Sequence, residues 1–208
     1  MGTTTNNGWP TPVATDLVKD GWEAIKDLGD AIDTTLGVYA PSTPGLTLIN
    51  TTSFSAVSAV SLAANTFSAT YTNYRILFYI TAKSTANVCT VRLRTSGTDN
   101  SSSTYDISFV GATSAGSFGA AANNAAQFDP LDGTARTPNE VWIFDVLSPF
   151  AAVNTILDGT AYTTDAGATI KTVKWTGRFE NTTSFDSLSF NASTGTITGS
   201  YSVYGYNA

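Results

Sequence analysis

Tyr74 to Ala82 reads YRILFYITA. It is too short for a stable helix, rich in aromatic and β-branched residues, and apolar almost throughout, so it is expected to be a strand buried on both faces. The segment after it, Val88 to Thr95, sets Cys89, Val91 and Leu93 against Arg92 and Arg94. That alternation marks a strand with one face inward and one in water. The same reading extends outward in both directions. Upstream lie Leu46 to Ile49 and Phe54 to Ala63. Downstream, Tyr105 to Val110 follows a turn at Gly97 to Ser103, and Val141 to Leu147 puts Trp142, Phe144 and Val146 on one face. Ala151 to Leu157 and Ala161 to Thr164 flank Asp158-Gly159, a hairpin-turn signal. In Thr169 to Glu180, Val173, Trp175 and Phe179 oppose Lys174 and Arg178; Leu188 with Phe190 and then Ile197 to Tyr206 close the series. Roughly eight to ten strands without an intervening helix predict an antiparallel β-sandwich, most simply a jelly roll. Gly111 to Gln127, GATSAGSFGAAANNAAQ, is too poor in large apolar groups for a core and is expected to be a long loop.

One helix precedes the strands. From Asp16 to Leu36, Val18, Ile25 and Ile32 recur every seventh residue with Leu28 between them, the pattern of a single apolar seam. Asp16 or Thr15 supplies the N-cap, Pro12 closes off the upstream side, and Gly37 with Pro41 and Pro44 supplies the stop. The predicted organisation is an extended arm over 1–15, a helix over 16–37, a linker over 38–45 and a mainly-β domain over 46–208. Gly21 and Gly29 each cost the helix about 1 kcal/mol relative to alanine, so its seam needs a partner. Self-association is favoured over cover by the β domain, and Val18, Ile25, Leu28 and Ile32 are the expected oligomer interface. Trp9, held in Gly8-Trp9-Pro10-Thr11-Pro12, either staples onto the first helical turn or docks on another protein.

Composition narrows the chemistry. The 208 residues include no histidine, which removes Ser-His-Asp and Cys-His catalysis and histidine metal sites together. Carboxylates alone serve glycosidases, and Glu140, Asp145, Asp158, Asp165 and Glu180 are the available ones, but nothing in their spacing pairs them. No enzyme activity and no cofactor are expected. Asp129-Pro130-Leu131-Asp132-Gly133 echoes a calcium loop without its alternating ligands and distal glutamate, so a plain turn is expected. Gly111 to Gly119 lacks the Gly-Lys-Ser/Thr ending of a phosphate loop. Cys89, the single cysteine, is expected to be a small buried apolar group. A net charge of −6 with ten scattered Lys and Arg argues against nucleic acid. No apolar run reaches membrane-spanning length and Met1 to Asn7 lacks a secretory pattern, so the expected product is made in a cytoplasm and kept there or released by lysis. Asn123, Asn124, Tyr204 and Tyr206 are the candidate contacts for a sugar or a protein surface, with Tyr201 and Val203 on the opposite strand face.

Three stretches carry a family likeness. Gly8 to Pro12 followed by a short helix through Ala31-Ile32-Asp33, the run FSATYTNYRILFYITAKSTANVCTVRLRTSGTDNSSSTYD from Phe67 to Asp106, and the ending GSYSVYGYNA from Gly199 to Ala208 resemble the fibre, spike and receptor-binding proteins of tailed bacteriophage virions. The resemblance implies a homotrimer located in the virion. It also implies an N-terminal segment, with Trp9, Pro10 and Pro12, that attaches to other capsid or tail proteins, and a β domain that meets a host-surface glycan or protein. A capsid decoration protein that stabilises the particle without binding a receptor is the alternative.

Overall fold

The computed structural model describes residues 2–4, 8–11, 21–39, 45–113, 115–131, 139–164 and 170–207. It falls into two compact units, Met1–Pro44 and Gly45–Ala208.

In the first unit the arm is a small hairpin rather than an extended tail. Strands β1 (Gly2–Thr3) and β2 (Pro10–Thr11) pair antiparallel, Thr4 N donates to Trp9 O at 2.8 Å, and Gly8 takes the left-handed φ of 65° that the turn requires. Helix α1 (Gly21–Tyr39) packs against β2 and runs through Gly37, which therefore does not end it. Pro12, Thr15, Asp16 and Val18 lie outside the described residues. Trp9 does not staple onto the first turn of α1: its indole N–H donates to the Thr35 hydroxyl at 3.0 Å, near the other end of the helix. The covered side of the helix runs through Ala24, Leu28, Ala31 and Thr35, with Ile32 half-buried beside it. Ile25, expected on the same seam, is on the open side, 68% exposed next to Trp22 at 67%.

The second unit is an antiparallel sandwich. Its strands are β3 (Leu46–Val57), β4 (Ala59–Ser61), β5 (Asn73–Lys83), β6 (Cys89–Thr95), β7 (Thr98–Asp99), β8 (Tyr105–Thr113), β9 (Gly116–Ala125), β10 (Glu140–Leu147), β11 (Thr155–Thr164), β12 (Ile170–Phe179), β13 (Ser187–Ala192) and β14 (Ile197–Tyr206). The pairs β3–β14, β4–β13, β5–β10 and β6–β7 nest outermost with outermost, the winding that makes a jelly roll. They form the ladders β3-β14-β5-β10 and β4-β13-β6-β7. Two further hairpins, β8–β9 and β11–β12, extend the first ladder to eight strands in the order β3-β14-β5-β10-β11-β12-β8-β9.

Alternation decides which face is buried. Tyr74, Ile76, Phe78 and Ile80 of β5, Trp142, Phe144 and Val146 of β10, and Val173, Trp175 and Phe179 of β12 point into the core. The expectation that Tyr74 to Ala82 is buried on both sides fails: Tyr74, Ile76, Phe78 and Ile80 are buried, while Arg75 and Leu77 are only partly buried and Tyr79 is exposed. Gly111 to Gln127 is not a long loop but the end of β8 and most of β9, an edge strand that needs no bulky core residues because it is exposed along nearly its whole length. Asp158-Gly159 is not a turn but the middle of β11, where Gly159 lies so close to β10 that a Cβ would sit 2.3 Å from the Phe144 Cβ. The part of the large sheet beyond the small one is covered by Phe128. Phe128 exchanges backbone hydrogen bonds with Val91, packs edge-on to Tyr105 at 4.7 Å, and occupies the space a side chain at Gly177 would fill.

Phe128→Ala should therefore cost about 3–5 kcal/mol, the range for truncating a buried aromatic. Val153→Ala, in an exposed loop, should change stability by no more than about 0.5 kcal/mol. Urea midpoints of the two variants compare them directly, and equal losses would contradict the plug role of Phe128.

Candidate functional site

The outward face of the eight-stranded sheet carries a row of interacting polar side chains. Register brings them together: Tyr204 lies opposite Arg75, Arg75 opposite Asp145, Asp145 opposite Asp158, and Asp158 opposite Thr176. Directly opposed side chains on one face are close enough to interact. Arg75 grips Asp145 with two hydrogen bonds of 2.8 Å each, and its guanidinium lies 5.5 Å from the centre of the Tyr206 ring. The Tyr206 hydroxyl donates to Asp145 Oδ1 at 2.6 Å. Asp158 accepts from Thr176 at 2.7 Å and from Lys174. Arg75, Asp145, Asp158, Thr160, Tyr162 and Lys174 line a depression of about 220 Å³ over this row.

Burial pushes the Asp145 carboxyl up, but the hydrogen bonds from Arg75 and Tyr206 outweigh it and hold it below the ordinary aspartate range. At Asp158 burial acts in the same sense, and Lys174 and Thr176 likewise win. Tyr206 is pushed up to about 12 by burial and by its hydrogen bond to Asp145. Both carboxylates are thus ionised at neutral pH, and neither holds the proton a glycosidase acid must deliver.

The remaining candidates disperse. Glu140 is buried on the inner side, Glu180 pairs with Arg178 at 3.2 Å, and Asp165 lies outside the described residues. Asn123 lines a second depression, of about 370 Å³, with Asp106, Ser108 and Arg178. Asn124 is exposed, and its backbone N–H donates to Asp106 Oδ1 at 3.0 Å. Tyr204 and Tyr206 do share the outward face, while Tyr201 and Val203 are core. Trp9 and Pro10 are half-buried in their own hairpin; Pro12 is not among the described residues. Asp129 Oδ1 accepts from the Leu131 N–H at 3.2 Å, the short-range bond of a turn; Asp132 and Gly133 are outside the described residues, and no metal-holding cluster occurs among the described ones. Cys89 is fully buried and its thiol is pushed up to about 12 by that burial. Among the described residues no helix is long and apolar enough to cross a membrane. Arg75, Lys174 and Thr176 were not expected at the site. Arg75 was visible only as the one charge within an apolar strand, and the other two only as outward positions of an alternating one.

Comparison with protein-family models, with curated proteins and with solved structures finds no match to this chain.

Asp106, whose carboxyl is drawn down by Arg178, joins Asp145 and Asp158 in titrating lower when folded than when unfolded. Such groups stabilise the fold fully above the unfolded value of 3.8 and lose that contribution as pH falls through the folded values. Stability should therefore drop on the acid side, from about pH 5 downward. Asp145→Asn should lower the urea midpoint at neutral pH and flatten the acid-side decline; a decline parallel to that of the parent chain would rule out this origin.

Proposed function

We propose that this chain is a structural protein of a tailed-phage virion: a homotrimeric appendage anchored through its N-terminal unit, whose β domain meets the host surface and performs no catalysis. The observation that carries the assembly part is the pair Trp22 and Ile25. Two large apolar side chains one helical turn apart are each about two-thirds exposed among the described residues of the N-terminal unit. Burying them against copies of the same helix would recover roughly 1.5–3 kcal/mol per side chain. The host-facing part is supported by the outward row of Arg75, Asp145, Asp158 and Lys174 flanked by Tyr162 and Tyr206, a mixture of ionic, hydroxyl and aromatic groups suited to saccharide or protein surfaces. The ionised state of both aspartates supports binding over hydrolysis.

A decoration protein packed on a capsid is the second reading. It is favoured by the apolar part of the same face, where Tyr79, Ile143, Ile156 and Tyr162 are exposed. Light scattering on the full chain tests the first reading. The parent should have three times the monomer mass of 21.8 kDa, and Ile25→Asp should return it to monomer with unchanged thermal unfolding of the β domain. A parent monomer would remove the trimer and favour a protein that assembles only on its particle.

A further inference from the structure

Far from the outward row, a lysine and a glutamate meet inside the sandwich. Lys83, the last residue of β5, and Glu140, the first of β10, place Nζ 2.6 Å from Oε1, and neither side chain has any exposed surface. Lys83 Nζ also donates to the backbone carbonyl of Asn87 at 3.0 Å. The other carboxyl oxygen, Oε2, is buried without a hydrogen-bond partner, as is the indole nitrogen of Trp142. Thr163 and Trp142 lie close enough to the carboxyl group to favour its charged form, though neither completes a hydrogen bond to Oε2. Burial is the largest influence on Glu140 and pushes its carboxyl up, despite the adjacent lysine.

As an ion pair this arrangement is poor. Two charges have left water, and one oxygen that carries half of the negative charge has nothing to bond to. Moving one proton from nitrogen to oxygen would turn the same contact into an amine beside an acid, the two partners of a condensation. With Nζ 2.6 Å from Oε1, the nitrogen and the carboxyl group are already in contact, the proximity that a condensation between them requires.

We infer that Lys83 and Glu140 are joined by an intramolecular amide bond, formed in the folded chain without an enzyme. The steps balance without an oxidant or co-reactant. A proton passes from the Lys83 ammonium to the Glu140 carboxylate, leaving amine and acid. The nitrogen lone pair attacks Cδ, the C–N bond forms, one C–O bond breaks, and the departing hydroxyl takes a second proton from nitrogen and leaves as water. The product suits the site better than the reactants do. Both buried charges disappear and so does one of the two carboxyl oxygens. The single remaining N–H has the Asn87 carbonyl as acceptor, and the remaining C=O faces Trp142 and Thr163. With both side chains sealed from solvent, water for the reverse reaction is scarce.

The consequence is a covalent tie between neighbouring strands of the large sheet, since Glu140 lies opposite Ile80. It closes the stretch of chain that holds β6, β7, β8 and β9, restraining the unfolded state as a disulfide would. A chain with one cysteine has no disulfide of its own to do this, and an amide is indifferent to redox conditions.

The test is the intact mass of the purified full-length chain under denaturing conditions. The expected mass is below the sequence mass by one water, with a single peptide containing both Lys83 and Glu140 after digestion. Lys83→Arg should show the full sequence mass. A parent chain at full sequence mass, with the two residues recovered in separate peptides, overturns the inference, as does a deficit of one ammonia with Lys83 linked to the Asn87 side chain. The parent measurement decides even if the variant does not fold.

Discussion

Phe78 and Phe190 lie face to face with ring centroids 3.7 Å apart and planes within 3°. One belongs to β5, third in the eight-stranded ladder, and the other to β13 in the small sheet, so this stack joins the two layers. The surrounding aromatics are arranged about it: Phe54 stacks at 5.6 Å on Phe78, while Trp142 and Phe144 approach Phe190 edge-on at 6.3 and 6.1 Å. Such offset and edge-on contacts add to the area term. Rings this large at close-packed density leave no room for side chains at every facing position. That explains Gly159 under Phe144 and Gly177 under Phe128, where small residues are a consequence of neighbouring large ones.

The same arrangement explains what could be read in the sequence. Val141 to Leu147 and Thr169 to Glu180 were legible as strands because buried and more exposed residues alternate along each, and the chemistry of burial writes that period into the residues; Val88 to Thr95 was legible by the same pattern although Thr90 is buried as well. The strand β9 was not legible, since an edge strand with little to bury carries no periodic signal. Asp158-Gly159 was misread because the glycine answers to the ring on the next strand rather than to a local turn. In Tyr74 to Ala82 the outward Leu77 and Tyr79 imitated a second buried face. The polar row was hidden for a different reason. Asp145 and Asp158 are thirteen positions apart in sequence, and only the β10–β11 register places them opposite one another. Lys83 and Glu140 are further apart still.

These two polar groupings show how the same pair chemistry depends on its surroundings. Lys174 and Asp158 meet on a face where both side chains are about half exposed, so water and neighbouring hydroxyls share the cost of keeping them charged. Such pairs contribute little to stability and leave a polar surface that a ligand can use. Lys83 and Glu140 meet with no exposed surface at all, and there the charged state is the expensive one. Location, rather than residue type, separates an ion pair shared with water from one sealed away from it.

The edges of the large sheet complete the argument about surroundings. Strands β3 and β9 border it on either side, and neither contains a lysine, arginine, aspartate, glutamate or proline. Those residues are what solitary sheet proteins place on edge strands to prevent edge-to-edge pairing. On β3, Leu46, Leu48 and Ile49 are exposed instead. Only 12% of the chain is charged, so this is economy throughout rather than a local gap. A protein that acts alone in solution is poorly served by unguarded edges and by Trp22 and Ile25 left open on a helix. A protein held among copies of itself or of other subunits has those surfaces covered, and for it charges at these positions would have to be desolvated on assembly. The distribution of charge is thus in keeping with the assembly proposed above.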